Sequence, residues 1–185
     1  MTNKKPFELG VTVGRFQTFH TGHRYMIEKA LAVCGEVGIL VGSSQESGTY
    51  KNPFSYKTRE RILKKIFGDR VRIYPLPDIG VGNNSKWGDY VLENIKDKFG
   101  KSPDLLVSGK EERRLDWFDS VEGVTIAELY VPKIINISAS EMRDFFVNDD
   151  FENWKRFTDE ALWDEYENLR AEVMSAKDNL FTESL

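Results

Sequence analysis

Short apolar, β-branched runs alternate with segments of helical period through the first two thirds of this chain, and no other feature restricts its fold as much. Residues 9–13, 36–42, 71–74 and 104–107 read as buried strands, and a fifth begins in 123–126. Between them, Met26, Ile27, Ala30 and Leu31 recur at helical spacing from about Thr21 onward. Ile62, Leu63 and Ile66 mark the inner face of a helix over 56–67 that Ser55 can cap, and Val91, Leu92, Ile95 and Phe99 mark that of a helix over 85–99. Strand–helix alternation of this kind predicts an α/β fold, a Rossmann-like parallel sheet flanked by helices. Ligands then bind outside the carboxyl ends of the strands.

The last third changes character. Ile134-Ile135-Asn136-Ile137 reads as a short extended run, and Ser138-Ala139-Ser140-Glu141-Met142-Arg143 opens a helix. From Phe151 the pattern is helical: Leu162, Tyr166, Leu169 and Val173 form an apolar stripe suited to packing on the sheet domain. The end, 177–185, is polar and reads as frayed. The expected organisation is one domain over 1–150 with a helical C-terminal extension of the same domain over 151–185.

With 185 residues and 40% hydrophobic content the chain can bury one good core. A net charge of -4 and no Lys/Arg-rich block argue against a nucleic-acid partner. One cysteine, Cys34, excludes an internal disulfide framework, and its apolar surroundings suit a small buried hydrophobe. No stretch approaches the ~18 apolar residues of a membrane span, and the first six residues are polar, so a soluble, cytoplasmic protein is expected.

Both histidines of the chain fall in Gly14-Arg15-Phe16-Gln17-Thr18-Phe19-His20-Thr21-Gly22-His23, where the first strand crosses into the first helix. Such a crossing offers backbone N–H groups and the positive end of a helix dipole to a phosphate. Arg15 adds a permanent charge. A second set of phosphate donors is Ser138-Ala139-Ser140 with Arg143 one turn on: hydroxyls, a helix start and a fork-shaped cation. Asn52-Pro53-Phe54-Ser55 with Arg59 follows the second strand, and Asp78-Ile79 through Asn84 to Trp87 follows the third; Trp87 could stack on an aromatic ring or simply pack. Three weaker patterns carry nothing. Gly80 to Ser85 nearly matches a dinucleotide fingerprint but ends in Ser, Gly109-Lys110 lacks the rest of a P-loop, and no Gly-x-Ser-x-Gly or His-Glu-x-x-His occurs.

Taken together, Gly14-Arg15-Phe16-Gln17-x-Phe19-His20-x-Gly22-His23 and Ile137-Ser138-x-Ser140-x-x-Arg143 resemble the His-x-Gly-His nucleotidylyltransferase superfamily, and within it the archaeal-type nicotinamide-nucleotide adenylyltransferases. The Asn52 to Arg59 and Asp78 to Trp87 blocks match in order, so the resemblance covers roughly residues 9–145. It implies transfer of AMP from ATP to nicotinamide mononucleotide, giving NAD and pyrophosphate, with Mg2+ accompanying the ATP and no metal site of the protein's own. It implies that His20, His23 and Arg143 are catalytic. It implies an ATP site of Gly14, Arg15, Phe16, Gly22, Ser108, Ile137, Ser138, Ala139 and Ser140. The mononucleotide site would comprise Asn52, Arg59, Asp78, Ile79, Asn84 and Trp87, with Arg59 reaching a substrate phosphate. Thr18 stands where the family usually carries Pro. The alternatives are a sister adenylyl- or cytidylyltransferase with another phosphate acceptor, or a non-catalytic NAD-binding sensor. The helices after residue 145 are open to two roles, completing the fold or forming a homo-oligomer contact.

Overall fold

The computed structural model describes residues 4–82, 85–109, 117–118 and 125–182. Five strands, β1 (Phe7–Gly14), β2 (Cys34–Gly42), β3 (Arg72–Leu76), β4 (Leu105–Ser108) and β5 (Ala127–Tyr130), make one sheet in the order β3-β2-β1-β4-β5. All four pairings are parallel, as the alternation requires. The crossovers are α1 (Thr21–Val33), α2 (Tyr56–Phe67) and α3 (Ser85–Phe99). After the sheet come α4 (Ala139–Val147), α5 (Phe151–Arg156), a 3-10 stretch over Glu160–Glu165, and α6 (Tyr166–Thr182).

Strand periodicity of two sorts the core into two layers. Ile39, Val41, Leu105 and Val107 face α1, α2 and the C-terminal helices. Leu9, Val11, Leu40 and Leu106 face the other way, onto Val91 and Ile95 of α3 and onto Trp117. Each fully buried aliphatic side chain stabilises the fold by roughly 1.5–3 kcal/mol. The start of β1 is pinned to the β4 edge by Asp104, whose Oδ2 accepts from the Leu9 and Glu8 N–H groups at 2.8 and 2.9 Å.

The expected apolar stripe of the last helices is buried: Leu162, Tyr166, Leu169 and Val173 join Phe146 and Trp154 in the first layer. Tyr166 stacks on Phe146 at 5.4 Å and meets Phe151 at 4.8 Å. This extension reaches the start of α1: the Thr21 N–H donates to Phe157 O at 2.8 Å, and Arg24 pairs with Asp159 at 2.5 Å. The helix therefore fills out the fold and steadies the N-terminus of α1.

Two expectations need correction. Residues 134–137 form no strand; Pro132 has no N–H to continue a ladder from β5, and the Ile137 N–H turns back onto Ile135 O at 2.9 Å. The chain end is not frayed from residue 177, because α6 runs to Thr182. Cys34 is buried at the first position of β2, where desolvation pushes its thiol pKa up, as a packing residue requires.

Candidate active site

In the order 3-2-1-4-5 the connections leave the sheet in opposite directions from β1 and from β4. The crevice at the carboxyl ends of those two strands is the switch point where such folds bind ligands. A cleft of about 780 Å³ opens there. Of the residues singled out in the sequence, Gly14, Arg15, Phe16, His20, Gly22, His23, Asp78, Trp87, Ile137, Ala139, Ser140 and Arg143 line it.

The β1–α1 crossing is built by local rules. Phe16 takes a left-handed backbone, φ 50°, and its ring folds back against Gly14, where a Cβ would sit 2.9 Å from the ring. His20 is the N-cap of α1, and its Nδ1 accepts the Gly22 N–H at 3.1 Å. A side chain at Gly22 would press on the His20 ring at 3.0 Å. The cap fixes the tautomer: with Nδ1 accepting, the neutral ring carries its proton on Nε2. Burial first, then the Lys133 ammonium, hold the His20 pKa down to about 4, against a weaker pull upward from Glu141. His20 is therefore a neutral donor at physiological pH. Its ring stacks on His23 at 3.8 Å, and Phe16 and Phe19 flank His23 at 5.2 and 5.6 Å.

The second helix start faces the first. Ser138 caps α4: its Oγ accepts the Glu141 N–H at 3.2 Å and donates to the Glu141 carboxylate at 2.6 Å. Its hydroxyl is thus engaged in the cap, and Ser138 does not line the cleft. Ser140 does, with its Oγ accepting from Arg143 Nη2 at 3.0 Å. The two crossings are joined by Thr18, whose buried hydroxyl donates to Ala139 O at 3.0 Å. Gln17 ties the same loop to the β2–α2 loop, accepting the Phe54 N–H at 2.9 Å and donating to Phe54 O at 3.3 Å.

Arg59 is not brought to the cleft. It is fully buried, and all five of its N–H groups go to backbone carbonyls. Nη1 reaches Arg15 O at 2.9 Å and Gly42 O at 2.8 Å; Nη2 reaches Ser43 O and Glu46 O; Nε reaches Ser55 O. Burial lowers its pKa to about 10, yet it stays charged. An arginine so saturated supports the floor of the site and has no donor left for a phosphate. Asn52 is also buried below the surface, its Oδ1 accepting from Arg15 at 3.3 Å and its amide nitrogen bonding Glu46. Ser108 donates to Glu128 at 2.8 Å, and Ile79 is exposed; neither lines the cleft. Asn84 lies outside the described residues.

Among the lining residues not singled out from sequence, Lys51, Lys133 and Trp117 bring a charge or a large ring. Lys51 directly precedes Asn52-Pro53, and Lys133 sits five residues before Ser138, so proximity to recognised blocks was their one available signal. Trp117 meets Trp87 edge-on at 6.3 Å, and α3 runs so close to it that any side chain at Gly88 would overlap the Trp117 carbonyl. The cleft lining thus combines four cations, Arg15, Lys51, Lys133 and Arg143, with the indoles of Trp87 and Trp117 and the carboxylate of Asp78. Among the described residues no three His, Cys, Asp or Glu side chains converge as a metal site. No helix among them is long and apolar enough to cross a membrane.

The model of the cytidylyltransferase-like family matches residues 11–158, which takes in both helix starts and all of the sheet but the first half of β1. This chain belongs to that family. Among cytidylyltransferase-like proteins, it is 42% identical over 88 residues to the nicotinamide-nucleotide adenylyltransferase of Saccharolobus solfataricus, covering 44% of this chain and 50% of that one. It is 37% identical over 107 residues to the protein of the same name from Aeropyrum pernix, covering 55% and 58%. The matched stretch thus spans little more than half the length of these relatives. In fold the chain is similar to a bifunctional NMN adenylyltransferase/ADP ribose pyrophosphatase from Francisella tularensis, with a TM-score of 0.76 at 22% identity, over 96% of this chain and 55% of that one.

Proposed function

We propose that this protein transfers AMP from ATP to nicotinamide mononucleotide, releasing pyrophosphate and forming NAD, as a cytoplasmic enzyme. The observation that carries this reading is the make-up of the large cleft at the strand ends: two helix N-termini, two histidines and four cationic side chains line it together with a tryptophan pair and Asp78. The names of the relatives point the same way.

The chemistry asks for little covalent help. An oxygen of the mononucleotide phosphate, already anionic, attacks the α-phosphorus of ATP. The bond from that phosphorus to its bridging oxygen breaks, and the electron pair leaves on pyrophosphate. No proton has to move, so no general base is needed. What the site must do is bring two anions together and meet charge where it builds. Arg15 and Arg143 neutralise the triphosphate, Lys51 and Lys133 add to the same field, and the α1 and α4 N–H groups hold phosphate oxygens. His20 donates from Nε2 to the phosphate under attack, a role its neutral, capped ring keeps at any pH well above 4. His23, stacked beneath it, sets the ring plane and faces the same phosphates.

The lining donors are guanidinium, ammonium, imidazole and hydroxyl groups, which suit phosphate oxygens. Mg2+ fits this site as the counter-ion that ATP brings, and it would lower the charge on the β- and γ-phosphates. Trp87 stacks on the pyridinium ring of the acceptor, whose positive charge the indole face and Asp78 both favour. Asn52 acts through Arg15 and Arg59 through the loop carbonyls, rather than on the ligand. Residues 1–150 form the nucleotidylyltransferase domain and 151–185 its extension, which supports α1 through the Phe157 carbonyl.

The test is direct. Purified protein is incubated with ATP, Mg2+ and nicotinamide mononucleotide, and NAD is followed with an alcohol dehydrogenase couple. Rapid NAD formation is expected. A sample that binds ATP but forms no NAD would overturn the acceptor assignment and leave a sister transferase with another phosphate acceptor.

A further inference from the structure

Arg143 is held in an unusual way for a group asked to meet a moving charge. Its Nη2 donates to Ser140 Oγ at 3.0 Å, while its Nε is buried and has no hydrogen-bond partner among the described residues. That is a loose attachment for a guanidinium with five donors. Tyr50 is the neighbour that adds most to it: the ring lies 5.3 Å from Arg143 Cζ, within cation–π range, and its hydroxyl feels the same guanidinium.

Tyr50 itself is fixed at its far end. Its hydroxyl donates to Asp144 Oδ1 at 3.2 Å. Asp144 follows Arg143 in α4, so the ring is gripped by two successive residues of one helix while its backbone belongs to the β2–α2 loop. The next two residues of that loop are Lys51, which lines the cleft, and Asn52, which holds Arg15. One aromatic side chain therefore sets the plane of Arg143 and fixes the distance between the loop and α4. Arg143 on the helix, and Lys51 and the Asn52 partner of Arg15 on the loop, lie on the two sides of that contact.

We propose that Tyr50 is a positioning residue for Arg143, ordering its guanidinium for the pyrophosphate that leaves. The inference rests on the reading of the cleft as a polyphosphate cradle, and on no assumption about which acceptor is used. The ring carries most of the effect and the hydroxyl a smaller part, because the ring faces the guanidinium while the hydroxyl, beside both Arg143 and Asp144, mainly anchors the ring.

The experiment measures inorganic pyrophosphate binding by calorimetry, and NAD-forming kcat and KM, on the full chain as wild type, Tyr50→Phe, Tyr50→Leu, Arg143→Ala and the double variant Tyr50→Leu/Arg143→Ala. Tyr50→Leu is expected to weaken pyrophosphate binding and lower kcat by about tenfold, with the KM for the mononucleotide unchanged, as loss of a desolvated cation–π contact predicts. Tyr50→Phe keeps the ring and should stay within about threefold of wild type. In the Arg143→Ala background Tyr50→Leu should cost nothing further, a result that a general loosening of the fold would not produce. Equal losses from Tyr50→Leu with and without Arg143, or no loss at all, would overturn the proposal. Pyrophosphate binding that follows this pattern in a protein that makes no NAD would support it while the acceptor assignment fails. Wild-type protein that binds no pyrophosphate would overturn it together with the cradle.

Discussion

Arg59 and Arg143 are both buried arginines near the cleft, yet the regions around them are organised in opposite ways. Under the β2–α2 loop, Arg59 spends every donor on a carbonyl, binding the Arg15 loop, the end of β2 and the start of α2 into one piece. At the start of α4, Arg143 has a hydroxyl, an aromatic face and an unpartnered Nε. A buried guanidinium needs partners whatever its role. Where the protein supplies all of them the arginine is a brace, and where it withholds some the arginine is ready for a ligand.

Alanine substitution should separate the two. Arg59→Ala strands several buried carbonyls and is expected to destabilise the fold by on the order of 3–5 kcal/mol, read as a fall in the urea midpoint. Arg59→Lys should recover little, since three donors on a flexible stem cannot reproduce a five-point fork. Arg143→Ala should leave the midpoint within about 1 kcal/mol and lower kcat by ~10²–10³. If the two variants lost stability and activity in the same proportion, the division into brace and ligand group would be wrong.

The His20 cap sharpens the comparison through pH. Its pKa is about 4 in the folded protein against the ordinary 6.5, so the folded state resists protonation. Below pH 6.5 the unfolded chain takes up a proton that the folded chain refuses, and stability falls as pH drops toward 4. From pH 7 to pH 5 this should cost wild type about 2 kcal/mol that His20→Asn does not lose, because Asn can still cap the helix without titrating. Denaturant melts of both proteins at the two pH values measure it. For catalysis the same shift predicts no inflection from His20 in kcat/KM between pH 5 and 8.

Much of this was open to a reader of the sequence. The bounds of α2 and α3 follow from Ser55 as a cap and from apolar residues at helical spacing, both local signals. The two helix starts that line the cleft were legible for the same reason, each being a contiguous run. What could not be read was the use of a side chain by something distant in sequence. Arg59 looks like a ligand residue one turn beyond a cap, and only the fold brings Arg15 O and Gly42 O to it. Lys51 and Lys133 carry no pattern of their own and become part of the site because β2 and β5 end on the same edge of the sheet. The stretch 134–137 has the composition of a strand, but Pro132 interrupts the ladder before it.

The smallest expected effect concerns the join between the two helix starts. The resemblance put Pro at position 18, and the sequence places Thr there. In the structure that hydroxyl is the hydrogen bond from the α1 crossing to the first residue of α4, made to Ala139 O in a buried setting. Thr18→Val keeps the shape and removes the donor, so Ala139 O loses a partner; about 1 kcal/mol of stability should go with it. The kinetic consequence, on the proposed function, is a change in spacing between two otherwise intact helix starts. A rise of a few-fold in the KM for ATP is therefore expected, with kcat less affected, since neither His20 nor Arg143 is touched directly. Thr18→Ser, which restores the donor, should return both values. Thr18→Pro separates the remaining possibilities: a protein as active as wild type would mean that a stiff loop serves as well as the hydrogen bond. An affinity loss matching Thr18→Val would mean that the bridge between the two helix starts is what this chain relies on.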